Sequence, residues 1–308
     1  MGRYVLRRLL QMIPVMIGTT FLIYWMVWAL PGNPFAGKCG QRPCTDAYIQ
    51  AQTEKFNLDD PLIVQYLKYL GNLLQGDLGE TFAGQDVSEL VALAYPTTLK
   101  LALVALTFEA VVGLGAGILA GLRRGGIFDN TVLISTLIVI SLPVFVIGFI
   151  LQYTLGIKWG IFPVTVSSEA PFSDLILPGL VLASGSLAYV ARLMRSSLAE
   201  NIRADYVRTA NAKGLSRKRV VGVHTVRNSL IPVITFIGAD FGALMGGAII
   251  TEGIFNINGV GGLVYRSILL REGATVVAVV TLLVLVFLVM NLLVDLLYAV
   301  LDPRIRYE

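Results

Sequence analysis

The stretch "LLQMIPVMIGTTFLIYWMVWAL", Leu9 to Leu30, decides the fold class, because it runs 22 residues without a charge. As a helix it is about 33 Å long, enough for the roughly 30 Å hydrocarbon core of a bilayer. Five further apolar runs follow. They are Leu101–Leu122 with Glu109, Thr131–Ile157 with Pro143, Leu175–Ala191 leading into Arg192, Ser229–Thr251 with Asp240, and Ala274–Val294 ending before Asp295. The expected fold is all-α, a polytopic membrane protein with six transmembrane helices.

Composition and charge agree. Of 308 residues 56% are hydrophobic and only 14% charged, with a mean hydropathy of +0.74. Soluble domains run near about 25% charged, and disorder needs low hydrophobicity and high charge, so both are excluded. The segments on one side of the six runs hold 16 of the 24 Lys and Arg, nine of them between Arg192 and Arg227. The positive-inside bias therefore puts both termini in the cytoplasm and makes the net +4 a topological signal, with no nucleic-acid partner implied. The first run exceeds the roughly 7–15 residues of a signal-peptide core and is read as an uncleaved anchor.

Three parts result. Residues 1–30 form the N-terminal end and first helix, 31–96 an external loop with short helices, and 97–308 a five-helix core with a cytoplasmic segment at 196–228. The outer loop carries eight acids and four basic residues, so it is no basic surface for lipid. Asp60 to Leu74 mixes apolar and polar positions in the manner of a surface helix, and Gly76-Asp77-Leu78-Gly79 marks a turn. Cys39 and Cys44 lie close together in an exported loop, where thiols are oxidised, which predicts a disulfide. Two free thiols are the alternative. Zinc lacks further ligands nearby.

Two glycine sets, Gly113/Gly117/Gly121 and Gly238/Gly242/Gly246, are spaced by four and admit close helix approach. Glu109 lies on the first stripe and is expected to face another helix. Asp240 lies about 160° from the centre of the second stripe, which points it at a cavity or a second subunit. Intramembrane acids are functional hypotheses, because lipid exposure costs several kcal/mol. Asp295 reads as a paired helix end. Pro143 removes a backbone donor in mid-span and should bend the third helix.

Between Arg192 and Asn228, Asp205 opens and Gly214 closes a helix of two to three turns, and Ser216 starts another carrying Arg217, Lys218 and Arg219. By charge alone this is a basic loop resting on anionic lipid.

The stretch "DYVRTANAKGL…RNSLIP", from Asp205 to Pro232, resembles the EAA loop of the inner-membrane permeases of binding-protein-dependent ABC importers, in the dipeptide and oligopeptide branch. Gly214 matches the motif glycine. Arg208, Thr209 and Ala210 stand where the general motif has Glu, Ala, Ala, so only the last agrees. The motif's Leu-Pro falls at Val226-Arg227, with a proline at Pro232 instead. "LDDPLIVQYLKYL" from Leu58, "GDLG" from Gly76, "PTTLKLALVAL" from Pro96, "SLPVFVIG" from Ser141, "TEGIFNINGVGGL" from Thr251 and "DLLYAVLDPRIR" from Asp295 are similar to further parts of the family.

The resemblance implies a type I importer permease fold in a bacterial or archaeal cytoplasmic membrane. It implies an ATPase dock built from Asp205, Tyr206, Arg208, Thr209, Ala210, Ala212, Lys213, Gly214 and Leu215. The implied partners are a second homologous permease, two ATPase subunits or domains carrying ATP and Mg, and an external peptide-binding protein. No lysine here is followed by Ser or Thr, so this chain has no P-loop ending of its own. For the pathway the candidates are Pro143, Phe145, Asp240, Glu252 and Asn256. Nickel, haem or glutathione are alternative cargoes, although the single histidine, His224, disfavours a metal path. An ion-coupled secondary transporter would leave the docking loop unexplained, and internal repeats are not evident. A scaffold without transport is the third reading. Nothing supports enzyme chemistry, since no nucleophile–base set or metal-ligand cluster is visible.

Overall fold

The structure, a computed structural model, describes residues 2–29, 35, 39, 44–245 and 248–301. Pro31, Gly246, Arg304 and Arg306 lie outside them. The fold is helical. Helix α1 (Gly2–Trp28) precedes α2 (Asp46–Lys55) and α3 (Leu62–Leu74). Then come α4 (Val87–Phe108), a π-turn at Glu109–Gly113 and α5 (Leu114–Leu122), which together make one 36-residue apolar span. Helices α6 (Ile127–Ser141) and α7 (Val144–Leu151) follow, the latter continued by a π-segment to Lys158. The remainder is α8 (Ile176–Asn201), α9 (Asp205–Ala212), α10 (Arg217–Arg219), a π-segment Val220–Val226, α11 (Arg227–Met245), α12 (Ile249–Ile254), α13 (Val260–Leu269) and α14 (Gly273–Leu301).

Five helical stretches are long and apolar enough to cross a membrane, and α6 with α7 makes a sixth that is bent by 106°. Contact order shows that this bent pair is one crossing. Gly113, Gly117 and Gly121 meet Leu187/Val190, Ala191/Met194 and Arg195/Leu198 in turn, so the α4–α5 span runs parallel to α8. A β-carbon at Gly117 would lie 2.6 Å from the Ala191 carbonyl, which is why that stripe is glycine. For two consecutive spans to be parallel, the pair between them must return the chain. It does: Asp129 of α6 bonds Arg195 near the end of α8, while Gly148 of α7 meets Val181 near its start.

In α11, Ser229 faces Ser197 and Leu244 joins the Ala183 cluster, which is antiparallel to α8. Gly242 packs on Met290 of α14. Arg8 pairs with Asp295 at 3.2 Å and Gly273 meets Val27, so α14 returns alongside α1. Asp295 is thus paired as the sequence indicates, but it is not a helix end, since α14 continues to Leu301.

The break has a local cause. The residue before a proline is pushed out of helical conformation, and Leu142 is extended (ψ 134°), as is Pro143 (ψ 141°). Two consecutive extended residues turn the axis sharply. Other spans differ from their sequence bounds. The fourth is not short, because α8 runs ten residues past Ala191. The fifth begins as a helix at Arg217, stops at Met245, and leaves Thr251 in the separate α12. The 196–228 segment is therefore mostly helix, with its non-helical residues around α9.

Outside the spans, α3 docks on α1. Tyr66 and Tyr24 are buried between them, and the Tyr66 hydroxyl donates to the Ile17 carbonyl at 3.0 Å. Ile63, Leu67 and Leu74 of α3 remain exposed, so α3 is an amphipathic helix with an uncovered apolar face. Cys39 and Cys44 are disulfide-bonded, Cα–Cα 5.2 Å.

Candidate docking surface and translocation cleft

Helix α9 is built to stand on the bundle and show one face. Val207 and Ala210 are buried against Val220, with Leu215 half-buried beside them. Asp205, Tyr206, Arg208, Thr209, Ala212, Lys213 and Gly214 are exposed. Ala210, the residue that agrees with the motif, is on the buried side of the helix. The helix stops because Gly214 takes a left-handed backbone (φ 74°), letting Gly214 N–H donate to Asn211 and Leu215 N–H to Ala210. Open space surrounds Gly214, so conformation, not crowding, demands glycine here.

What α9 stands on matters mechanically. Three residues join it to the end of α8, and its buried side rests on the π-segment Val220–Val226 that continues into α11. Helix α9 is therefore linked to two spans, to α8 along the chain and to α11 through the π-segment. Arg217, Lys218 and Arg219 are exposed beside it; Ser216 opens their helix without a side-chain cap.

In the membrane layer, the break at Pro143 opens a cleft of about 350 Å³ lined by Val139, Ile140, Leu142, Val144, Ile147, Ser184, Gly185 and Tyr189. Pro143 and Phe145 are exposed at its edge. Tyr189 stacks on Phe236 of α11 at 4.4 Å. Sequence reading missed the α8 part of this lining. The small, polar run Ser184-Gly185-Ser186 in mid-span was the available signal.

The remaining candidates separate. Asn256 is exposed and left-handed (φ 50°) in the turn after α12. Glu252 is fully buried and acts as a clasp: it accepts from the Thr98 hydroxyl at 2.9 Å and from Gly262 N–H at 2.7 Å, while Thr98 accepts from Val260 N–H at 2.8 Å. This arrangement ties α4, α12 and the start of α13. Asp240 turns away from Gly242 and α14, as its helical position requires, and meets Glu109 on the opposite side. Among the described residues no group of three or more His, Cys, Asp or Glu is placed to hold a metal ion.

Comparisons with known proteins cover the whole chain. Residues 113–307 match the family described as "Binding-protein-dependent transport system inner membrane component", and residues 1–102 match that of the corresponding N-terminal component. The chain is 36% identical to the di/tripeptide transport system permease protein of Pseudomonas aeruginosa, covering 99% of each. It is 36% identical to the oligopeptide transport system permease protein of Bacillus subtilis and to the glutathione transport system permease protein of Pectobacterium atrosepticum, covering 100% of each chain. A bundle of apolar spans with an outward-standing α9, and family matches at both halves, lead to one conclusion: the chain belongs to the binding-protein-dependent transport system inner membrane components.

Proposed function

We propose that this chain forms the membrane path of an importer for di- and oligopeptides. As a member of its family it is a multi-pass inner-membrane permease subunit of an ABC importer, without enzyme activity of its own, working with an ATPase on separate subunits and a substrate-binding protein. The peptide cargo rests on the full-length similarity to permeases named for dipeptides, tripeptides and oligopeptides. Glutathione is a second cargo reading, carried by one relative of equal identity.

In this account the working unit pairs the chain with a second homologous permease and two ATPase subunits holding ATP and Mg. The end of the bundle bearing Arg8, Arg123, Arg124 and the α9 surface faces the cytoplasm, which the positive-inside rule supports. The ATPase docks on the exposed face of α9, from Asp205 to Gly214, with Leu215 and Ala210 holding the helix down. ATP binding draws the two docks together, and α8 and α11 carry the displacement to the cleft at Pro143. The bundle then has two states that nucleotide favours unequally. Pro143, Phe145, Asp240 and Asn256 line or border the path, and Glu252 positions the Asn256 turn.

Uptake of labelled di- to pentapeptides by the assembled system, with and without its binding protein, tests the cargo. Uptake that needs the binding protein and ATP is expected. Uptake of glutathione with no uptake of other peptides would replace the peptide reading by the second one.

A further inference from the structure

Glu109 and Asp240 lie on different spans and meet inside the bundle. Glu109 opens the π-turn after α4 and is fully buried. Its neighbour Phe108 and the neighbour of Asp240, Phe241, pack on the same cluster of Ala102, Ala105, Ala183 and Leu244. The groups nearest the Glu109 carboxyl are the Asp240 carboxyl and the Ser186 hydroxyl of α8. Both Glu109 oxygens and Asp240 Oδ2 are buried, and no backbone N–H, lysine or arginine among the described residues donates to them.

An ionised carboxylate only accepts hydrogen bonds. Two of them side by side between packed spans, with no cation beside them, repel each other and cannot both persist as anions. A proton between them removes the repulsion and supplies the missing donor. We propose that Glu109 and Asp240 are a single intramembrane proton-binding site, holding one proton between α4 and α11 beside Ser186. The ligand is the proton itself, whatever the cargo.

The surroundings leave little else to titrate. On α8, Tyr189 is stacked on Phe236, Arg192 is exposed about 9 Å further along the axis, and Arg195 is taken by Asp129. On α4, Tyr95 lies 14 residues before Glu109 and donates to the Met245 carbonyl. Helix α5 and α7 carry no charge. On α14, Asp295 is held by Arg8. On α11 the other charge is Arg227, at the far end. Because α8 and α11 are the spans joined to α9, a motion that parts α11 from α4 also splits the pair and changes its proton count.

The test is infrared spectroscopy of the assembled full-length importer in lipid at neutral pH, reading the C=O stretch of protonated carboxylic acid. One such band is expected, shifted by carbon-13 label on glutamate and also by label on aspartate, since the proton is shared. Glu109→Gln and Asp240→Asn should each abolish or shift the band, and the exchanged pair Glu109→Asp with Asp240→Glu should keep one. No band in the wild type would overturn the proposal. So would a band insensitive to either label, a measurement that needs no variant to fold.

Discussion

Asp129 and Arg195 form a two-point ion pair that ties the start of α6 to the end of α8: Arg195 donates from Nε to Oδ1 and from Nη2 to Oδ2, the latter at 2.8 Å. Gly125 N–H donates to the same carboxylate at 2.8 Å, and only 1% of the Asp129 side chain is exposed. Breaking a buried pair by removing one partner is far more damaging than replacing both with apolar groups. Arg195→Ala should therefore destabilise the permease by about 3–5 kcal/mol. The double variant Asp129→Leu with Arg195→Met should lose less. Thermal unfolding of the purified membrane protein measures both. Equal losses would mean that the pair's charge is not what the site requires.

The glycine stripe of α5 supplies a matched comparison. At Gly117 a β-carbon would sit 2.6 Å from the Ala191 carbonyl and 2.7 Å from Met194 Cβ, whereas at Gly115 it would meet nothing within 4 Å. Gly117→Ala should cost about 1–3 kcal/mol, the range for overpacking a close interface. Gly115→Ala should be neutral or slightly stabilising. Melting temperatures in one lipid or detergent decide the comparison.

Glu252 was a pathway candidate by sequence and is a clasp in the structure. Glu252→Ala removes two hydrogen bonds and orphans the Gly262 N–H and the Thr98 hydroxyl, at about 1–3 kcal/mol for each buried group left unsatisfied. The expected result is reduced accumulation and stability, with an unchanged ranking of peptides among the surviving protein. A changed ranking at normal stability would return Glu252 to the path.

At Gly214 the expectation is functional. A β-branched residue is disfavoured at φ 74°, so Gly214→Val should unwind the end of α9, at about 1–2 kcal/mol of local strain. The six spans do not depend on that turn. Insertion and thermal stability should stay near wild type, while ATP hydrolysis loses its dependence on transport. Normal uptake by this variant would remove the α9 terminus from the coupling path.

The sequence made some features plain and hid others, for physical reasons. Uninterrupted apolar length identifies a span irrespective of its neighbours, so the stretch at Leu9 and that at Ala274 were legible. Glycines at intervals of four named a packed stripe, and Gly113 to Gly121 do lie on α8. Pro143 announced a bend, but a proline alone does not set an angle; the 106° came from Leu142 and Pro143 both being extended. Hydropathy ended the fourth span at Arg192 because the arginine side chains there are polar. The backbone has no such stop, and the helix continues to Asn201. Asp240 was legible as an intramembrane acid, and its helical angle turned it away from the Gly242 contact with α14, but its neighbour there is Glu109 of the same chain and not the expected cavity or second subunit. That Glu109 waits on that side was hidden, since a contact between residues 131 positions apart leaves no local pattern.

In the proposed mechanism, α9 is where the ATPase drives this permease. Single cysteines replacing Arg208 and Lys213, both exposed on α9, should cross-link to the ATPase in the assembled importer, and the link should stop ATP-driven uptake until it is reduced. A cysteine replacing Ile63 on the outer helix α3 should give no such link. The account is contradicted if the ATPase assembles and uptake proceeds while neither α9 position cross-links to it.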